Sequence, residues 1–299
     1  MSKSRNAIAL LVTVMFVMVI SVAIAYGLQQ VNSATKLVKK ENSLYQMNML
    51  VEDILNILQN SQELHSSVEN NASSDFYAFL SQASFIPIEY EGISVVLKLR
   101  SARRGFNPAS LNSTTSVYLK EYLGKYGITS RYVDILLDNV GGIKKDNSYN
   151  STIFDENPYL FRDYIASAKH LRTINIYYTK EYNDNALENI DFKKLFYYGA
   201  DKNTSIDLNY ASTELWEFML GCSKERAELL SSRGGFYTSY KDLDINDAEQ
   251  KILKRDFKTS FLEPVIEVEV MITLNGTNSK VYFEYDIKKK RGSNFVYEI

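Results

Sequence analysis

The 299-residue chain carries 36 acidic and 34 basic residues, a mildly negative balance that argues against a general surface for nucleic acid or anionic lipid. Its single cysteine, Cys222, excludes an intrachain disulfide, so the fold has to be stabilised by side-chain packing. The 22 tyrosines and 15 phenylalanines supply apolar area, much of it with a polar tip suited to a half-exposed interface.

The N-terminus contains an uncharged and almost wholly apolar run from Ala7 to Tyr26. About 20 such residues are enough for a helix, which rises about 1.5 Å per residue, to cross a bilayer. Lys3 and Arg5 precede the run, which favours a cytoplasmic N-terminus and a single-pass topology. We therefore predict that 8–27 is a membrane-spanning helix rather than part of a conventional cleaved signal peptide.

Apolar residues continue beyond this run at spacings of three, four and seven, which is typical of an amphipathic helix. The pattern covers 28–70 without a proline, so we expect the helix to continue from its membrane half into an amphipathic half. The Asn- and Ser-rich stretch from Asn70 to Asp75 is predicted to end it or to separate it from the next element.

Strand patterning occurs in 75–100 and again in 258–299, whereas the intervening residues, 101–257, have mostly helical spacing. The predicted strands are Phe85–Glu91, Ile93–Arg100, Val265–Leu274, Lys280–Ile287 and an edge at Phe295–Ile299, with hairpin turns at Glu91-Gly92 and Asn275-Gly276. The predicted helices are Tyr118–Tyr126, Ser130–Asp138, Tyr159–Leu171, Glu188–Tyr198, Ser212–Leu220 and Lys224–Arg233. The order predicts a helical domain inserted into a β framework.

The usual motifs of catalysis do not occur in the sequence. The two histidines, His65 and His170, are far apart and have no metal-binding spacing, and the chain has neither a Gly-rich phosphate loop nor a GxSxG elbow. Cys222 has no surrounding pattern of a nucleophile, so we expect a small, buried apolar residue. These observations predict that the protein is not an enzyme.

The most informative segment is 206–243, which opens with Ile206-Asp207-Leu208-Asn209-Tyr210-Ala211-Ser212. It reads as a turn, a helix, a tight link at Gly221, and a second helix that ends at Gly234-Gly235, where a positive φ costs little. The segment resembles the helix-hairpin-helix pattern. That pattern is shared by DNA-binding modules and by the inserted domain of the K protein of the general (type II) secretion pathway.

The chemistry of the hairpin separates these two families. DNA-binding versions use a Gly-x-Gly hairpin, which lets backbone amides approach phosphate, and they have basic neighbours. Here the hairpin reads Gly221-Cys222-Ser223-Lys224, and 206–243 contains four basic residues against six acidic ones. This composition favours a packing role and makes nucleic acid an unfavoured partner.

Three further segments are similar to the same secretion family. The start of the chain, Lys3 to Val12, resembles the family's leader, which implies cleavage by prepilin peptidase between Ala7 and Ile8 and an N-methylated Ile8. Val12 would then be the fifth mature residue, where ordinary pilins have a glutamate that the K protein lacks. The segment 105–111 resembles the family's first turn, and the segment 126–138 resembles a helix that follows that turn in the family.

The resemblance implies an α+β fold, in which a pilin-like long N-terminal helix lies on a small antiparallel sheet. A large all-helical domain of helix-hairpin-helix or SAM-like type would be inserted into it. The implied boundaries are 1–7 for the cytoplasmic leader, 8–27 for the membrane half of the helix and 28–70 for its amphipathic half. The β framework would comprise 75–100 and 258–299, and the insertion would comprise 101–257.

The function implied is that of a minor pseudopilin in the inner membrane, with a periplasmic ectodomain. It would cap the pseudopilus tip and help to start the filament with I- and J-type pseudopilins, for protein export across the outer membrane. Other pseudopilins, prepilin peptidase and the inner-membrane secretion platform are the further partners implied. The alternative is a competence-type pseudopilin or a membrane-anchored helix-hairpin-helix DNA receptor for DNA uptake.

Two kinds of site are expected in polar loops. Family members bind Ca²⁺ through acidic loop residues, and such a site needs six to eight oxygens, with an ordinary solvated loop as the alternative. The candidates are Asp138, Asp146, Asp155 and Glu156. Of five Asn-x-Ser/Thr sequons, two also have an acidic residue two positions earlier, as bacterial N-glycosylation prefers, although an Asn-rich chain produces such matches by chance. These two are Asn71 and Asn203.

Overall fold

A computed structural model describes residues 44–90, 93–274 and 277–298, together with Val38 and Glu41. The membrane run 8–27, the cleavage site at Ala7-Ile8 and the methylated Ile8 lie outside the described residues and stay predictions. Within the described ranges, no helix combines the length and the apolar character that crossing a bilayer requires.

Strands that precede the inserted block and strands that follow it form one antiparallel sheet. The described strands are β1 (Ile86–Tyr90), β2 (Ile93–Ser101), β3 (Ile206–Asp207), β4 (Thr259–Ser260), β5 (Val265–Leu274), β6 (Thr277–Asp286) and β7 (Arg291–Glu298). The sheet has the order β1-β2-β5-β6-β7, and the short strands β3 and β4 pair with each other separately. Both predicted hairpins, β1–β2 and β5–β6, are confirmed.

The two faces of the sheet differ in chemistry because side chains alternate along each strand. On one face, Val95 and Leu99 of β2 are buried against Ile272 and Val268 of β5. On the other face, basic residues of β2 lie opposite glutamates of β5, with Arg100 Nε donating to a carboxylate oxygen of Glu267 at 2.8 Å. The apolar face therefore has to be covered by a helix to be shielded from water, whereas the charged face can remain in contact with solvent.

That helix is α1, which is described over 44–60. Its buried residues follow spacings of four, three and four, so they form a single stripe along one side of the helix. They pack on the apolar face of the sheet and are Met47, Val51, Ile54 and Leu58. The amphipathic pattern of the sequence is thus used within the subunit, for contact between helix and sheet.

The predicted continuous helix over 28–70 is interrupted at Ser61, which separates α1 from α2 (Gln62–Glu69). The Ser61 hydroxyl caps the new helix by accepting from the Leu64 amide at 3.4 Å. A further helix, α3 (Ser73–Gln82), was not predicted. Its Ser-rich start reads as a loop, although Phe76 and Leu80 place a buried stripe on it.

The inserted block lies between the end of β2 and the start of β5. It is mainly helical, and the only strands described in it are β3 and β4, of two residues each. Its helices are α4 (Thr115–Gly124), α5 (Ser130–Val140), α6 (Ile153–Glu156), α7 (Ala168–Tyr182), α8 (Phe192–Leu195), α9 (Thr213–Leu220), α10 (Lys224–Ser232) and α11 (Asp247–Arg255). Its buried apolar residues form one cluster around Trp216, separate from the cluster beneath the sheet. The predicted fold class, with a helical insertion in a pilin-like framework, is confirmed.

Two of the predicted helices are placed wrongly. The prediction of Tyr159–Leu171 fails because the helix begins only at Ala168, where the Ser167 hydroxyl caps it by accepting from the His170 amide at 3.2 Å. The prediction of Glu188–Tyr198 reduces to the single turn α8, which the Asp191 carboxylate caps. The aromatic residues of the two segments differ in burial, since Tyr159 and Phe161 are exposed, whereas Phe192 and Phe196 are buried in the inserted core.

We predict that Ile54→Ala lowers the free energy of unfolding by about 2–4 kcal/mol, because it leaves a cavity between α1 and the sheet. The matched control is Ile57→Ala, since Ile57 lies on the same helix with 67% of its surface exposed, against 5% for Ile54. The control should change stability by no more than about 0.5 kcal/mol. Chemical denaturation followed by circular dichroism measures both. Equal losses for the two variants would contradict the assigned orientation of α1.

Candidate functional site

The inserted block is attached to the sheet by an ion pair at the end of β2. Arg103 Nη1 and Nη2 donate to the two carboxylate oxygens of Glu284 in β6, at 3.0 and 3.1 Å, and both side chains are nearly buried. The Arg103 guanidinium also lies over the ring of Tyr197 from the inserted block, 4.3 Å from its centroid. One side chain therefore joins the sheet to the insertion with a fixed, two-pronged geometry.

A buried carboxylate, that of Asp207, makes the second attachment. It accepts from the Ser101 hydroxyl at the end of β2 at 2.9 Å and from the Asn209 amide at 3.1 Å, and its own amide donates to Arg103 O at 2.8 Å. Burial raises the pKa of Asp207 to about 7, in spite of these hydrogen bonds, and the nearby Glu263 adds to the rise. Asp207 therefore changes charge near neutral pH at the junction of the two cores.

Two asparagines hold the irregular turns of the inserted block. Asn107 accepts from the Ala109 amide at 3.0 Å and donates to Gly199 O at 3.1 Å and Asp201 O at 2.8 Å. It lies in the turn 105–111 that resembles the secretion family's first turn. Its hydrogen bonds show that this turn orders a distant loop.

Asn209 has the same role in the second turn, which opens the hairpin segment. Its Oδ1 accepts from the amides of Gly235 and Tyr237 at 2.7 and 3.0 Å, while its Nδ2 donates to the carbonyls of Tyr237 and Phe261 at 2.9 and 2.7 Å. All four hydrogen-bonding positions of this amide are filled. The sequence carried a signal of this shared role in the similar segments 106–110 and 208–212, which read FNPAS and LNYAS.

The predicted helix-hairpin-helix is present as α9, Gly221 and α10. Gly221 has φ +61°, and its amide donates to Glu217 O at 2.9 Å, which closes α9 with a left-handed residue. Lys125 Nζ donates to Cys222 O at 3.1 Å, so a cation from α4's end lies against the carbonyl side of the hairpin. Glu225 occupies the first turn of α10, where a negative charge interacts favourably with the helix dipole and repels a phosphate.

His170 and Cys222, which the sequence does not place in a catalytic motif, both lie in structural surroundings. His170 Nδ1 accepts from the Ala166 amide at 3.2 Å, and burial lowers the pKa of its imidazole. Cys222 is partly exposed rather than fully buried as predicted. Partial burial raises the pKa of its thiol, which keeps the less reactive protonated form.

Three of the four carboxylates predicted as Ca²⁺ ligands are engaged in separate local contacts, and the fourth, Asp155, is exposed. Asp138 is fully buried, and its two oxygens accept from the amide and side chain of Asn150 at 3.0 Å each and from the amide and hydroxyl of Ser151 at 2.9 and 2.8 Å. Asp146 accepts from Ser148, and Glu156 from Lys180. Within the described ranges, no group of three or more His, Cys, Asp or Glu side chains has the arrangement of a metal site. Asp138 thus anchors the loop after α5 through these four hydrogen bonds.

The two candidate glycosylation residues are both exposed, but their surroundings differ. Asn71 has φ +52°, and the hydroxyl of Ser73 in its sequon is buried and donates to Tyr237 O at 3.2 Å. Asn203 lies in an open turn, where its amide donates to Asp201 Oδ1 at 2.8 Å. Glycosylation stays a prediction, and the geometry favours Asn203 because its sequon is not engaged in the core.

Comparison with solved structures gives a match over most of the chain. One chain of the crystal structure of the GspK-GspI-GspJ complex, from the type 2 secretion system of enterotoxigenic Escherichia coli, aligns with a TM-score of 0.53 and 11% sequence identity. The alignment covers 87% of this chain and 99% of that one. The two chains share a fold. No protein-family model and no curated protein matches the sequence.

The shared fold agrees with the resemblance that the motifs predicted. A structural match at 11% identity is carried by the course of the backbone rather than by conserved side chains. Fold alone does not determine function, because the same architecture supports different activities. The function is therefore argued below from the arrangement of this chain's own elements.

We predict that protonation of Asp207 stabilises the folded protein. Its pKa is about 7 when folded and near 3.8 as a free side chain, so between those values the folded state binds the additional proton. Stability from this group is fully present at low pH and is lost as pH rises through about 7. Raising the pH from 5 to 8 should cost wild type on the order of 3 kcal/mol more than Asp207→Asn, which stays neutral.

The measurement is denaturant unfolding of both proteins across that pH range. The Asn variant is the matched control because it keeps the size of the side chain and an oxygen that can accept from Asn209. Parallel curves for the two proteins would show that Asp207 is not a buried group with a raised pKa.

Proposed function

We propose that this chain is a minor pseudopilin of a type II secretion system, located at the tip of the pseudopilus. The observation that carries the proposal is the shared fold, in which a helix lies on a small antiparallel sheet and a large helical block is inserted between β2 and β5. The apolar run Ala7–Tyr26 supports the proposal, because pilin-type subunits are held in the inner membrane by such a helix before they are assembled into a filament.

The position of the inserted block explains why the tip is the favoured location. Gln46 and Asp53 of α1 share a cavity with Val95 near the start of β2, while Leu58 shares another with Leu99 near its end. The strand β2 therefore runs in the same direction as α1, and the block that follows it begins beside the far end of α1. A bulky block there would prevent another subunit from adding above, as expected of a cap.

The absence of a glutamate at Val12 is consistent with the same location. In ordinary pilins the corresponding carboxylate pairs with the terminal amine of a neighbouring subunit, and an end subunit has no neighbour above it. We further propose that I- and J-type pseudopilins are the immediate partners, as the complex in the matching crystal structure contains GspI and GspJ beside GspK. The other proposed contacts are transient, with prepilin peptidase and with the secretion platform in the inner membrane.

A role in assembly rather than catalysis fits the polar chemistry of the described residues. The buried carboxylates Asp138, Asp207 and Glu249 each accept hydrogen bonds from neighbouring backbone or side-chain donors. Their role in this arrangement is to hold loops and helices in place. We propose that the protein has no enzymatic activity.

We predict that full-length tagged chain, purified in detergent from its own cells, brings down I- and J-type pseudopilins, and that deletion of the chain abolishes export. The same preparation should not bind duplex DNA in a salt-dependent way, because Glu225 and the acidic excess of 206–243 oppose phosphate. Quantitative mass spectrometry measures the recovered pseudopilins. A DNA-binding titration at salt concentrations from about 50 to about 300 mM measures binding to DNA. Steep salt-dependent binding without pseudopilins would favour the DNA-uptake alternative.

We predict that the assembled protein begins at Ile8 with a methylated amine, because prepilin peptidase would remove residues 1–7. Mass spectrometry of the N-terminal peptide measures this directly. Mutation of the cut site, Ala7→Asp, should leave the leader in place and exclude the chain from filaments, while Asn6→Ala serves as a neighbouring control. Filament material that still starts at Met1 would overturn the proposal that this helix is an assembly element.

A further inference from the structure

Three arginines lie close together at the end of β2, and they differ in how they are paired. Arg100 Nε donates to a carboxylate oxygen of Glu267 at 2.8 Å, and Arg103 donates from both terminal nitrogens to Glu284 at 3.0 and 3.1 Å. Arg104 approaches Glu267 only at 3.5 Å, through Nη2, and donates no hydrogen bond to any of the described residues. The donors of this third guanidinium are therefore left for another acceptor.

The Arg104 side chain is also largely removed from water, with 32% of its surface exposed. Burial lowers the pKa of Arg104, and the positive charge of Arg100 acts in the same direction. The guanidinium nevertheless stays charged at neutral pH and carries five N–H donors. A partly buried cation without hydrogen-bonded acceptors gains more from a nearby anion than a fully solvated cation does.

Arg104 lines a cavity of about 560 Å³ that lies between the inserted block and the charged face of the sheet. Small-molecule sites have volumes of about 300–1,000 Å³. We call this cavity the junction cleft. Its sheet side consists of Glu267, Tyr282, Glu284 and Val296, and its other side includes Tyr164, Lys193 and the chain from Phe196 to Ala200. The cleft crosses three strands, from β5 to β7, and is therefore about 10 Å long.

The charges of the junction cleft favour an anion. Its two carboxylates, Glu267 and Glu284, are each held by one of the other two arginines, as described above. Its two cations are Arg104 and the exposed Lys193. A negative group beside Arg104 therefore meets positive charge that the lining carboxylates do not already neutralise.

Aromatic side chains form most of the remaining wall. Burial raises the pKa of Tyr198 to about 12 and that of Tyr197 further, so both phenols are neutral at physiological pH. Neutral tyrosines offer an apolar ring together with a hydroxyl that donates a hydrogen bond. The aromatic residues of the lining are Tyr164, Phe196, Tyr197, Tyr198, Tyr282 and Phe295. Such a wall suits a ligand with an apolar or aromatic body.

We propose that the junction cleft binds an organic carboxylate with an apolar or aromatic body, whose anionic group accepts hydrogen bonds from the Arg104 guanidinium while the body packs on the tyrosine wall. The planar fork of an arginine matches the two oxygens of a carboxylate. A doubly charged phosphate fits less well, because Glu267 lies beside Arg104 and repels the second charge. This site goes beyond the proposed function and does not depend on it.

The same chemistry has two sources, a small free carboxylate and the C-terminal carboxylate of a polypeptide. A cleft about 10 Å long accepts about three residues of extended chain. The probes are therefore N-acetyl-Ala-Ala-Phe and 3-phenylpropionate, each compared with its own amide, which differs only in the charged group. Tighter binding of the peptide acid than of 3-phenylpropionate would assign the site to a chain terminus, and equal binding would assign it to a small carboxylate.

The first experiment is isothermal titration calorimetry of the full-length chain in detergent with these four probes. The acid of at least one pair should bind about tenfold or more tightly than its amide, because only the acid forms charge-assisted hydrogen bonds with Arg104. Equal affinities of acid and amide in both pairs, or no binding of either acid, overturn the proposal.

The second experiment removes the cation. Arg104→Gln should abolish the preference for the acid over the amide, whereas Arg104→Lys should retain part of it, because lysine keeps the charge and loses the fork. The matched control is Arg172→Gln, which changes an exposed arginine of α7 and should leave the preference intact. The ratio of the two affinities is the measurement, since a general loss of structure lowers both. An unchanged ratio in Arg104→Gln contradicts the assignment of the anion to Arg104.

The third experiment fills the cleft from its other end and leaves Arg104 in place. Val296 of β7 lines the cleft and is 53% exposed, so Val296→Trp places a large ring in the cavity without disturbing a core. It should reduce the affinity for the acid about tenfold or more. Val117→Trp is the matched control, because Val117 lies on α4 outside the cleft and is 51% exposed. Equal affinities of these two variants would show that the acid binds elsewhere, and the pseudopilin function would stand without this site.

Discussion

The fold depends on the pairing of β2 with β5, which are neighbours in the sheet although the whole inserted block separates them in sequence. Ser101 lies opposite Ile266 in this ladder, so the chain leaves the sheet and returns to it at adjacent positions. Closing a long loop costs little more than closing a medium one, because the entropy grows only with the logarithm of loop length. A framework that closes in this way accepts a large insertion without losing its own core.

Polar contacts then determine how the insertion is held. Arg103 reaches from the end of β2 to Glu284 in β6 and to the ring of Tyr197, and Asp207 receives the Ser101 hydroxyl. Ion pairs and buried carboxylates of this kind contribute more to a defined geometry than to net stability. They fix the insertion at one end of the sheet.

Periodicity was sufficient to predict the elements whose neighbours are close in sequence. The hairpins β1–β2 and β5–β6 and the helices around Gly221 all follow local patterns, and so does the stripe on α1. The helix α3 was not predicted because the serines at its start favour a loop. Burial of Phe76 and Leu80 in the core beneath the sheet stabilises the helix instead. Local propensity is a weak signal where tertiary burial decides the outcome.

The site residues were predictable in type but not in role. Asn209 was part of a recognised pattern, yet its bonds to Tyr237 and Phe261 join residues that are far from it in sequence. Asp138 was predicted as a Ca²⁺ ligand from its loop position alone, and the sequence did not indicate that it accepts hydrogen bonds from the amides and side chains of Asn150 and Ser151. A single sequence contains the polar residues but not the distances between them, so long-range partners cannot be assigned from it.

The separation of the two cores has a consequence for the order in which the protein forms. As the chain emerges, β2 is complete long before β5 exists, so the sheet edge that will receive β5 stays open while the inserted block is made. The block has its own core around Trp216 and depends mainly on contacts within itself, so it is able to fold during that interval. Because β2 lacks its partner until β5 is made, the growing chain carries an unpaired strand edge for as long as the inserted block is being synthesised, and such an edge favours aggregation.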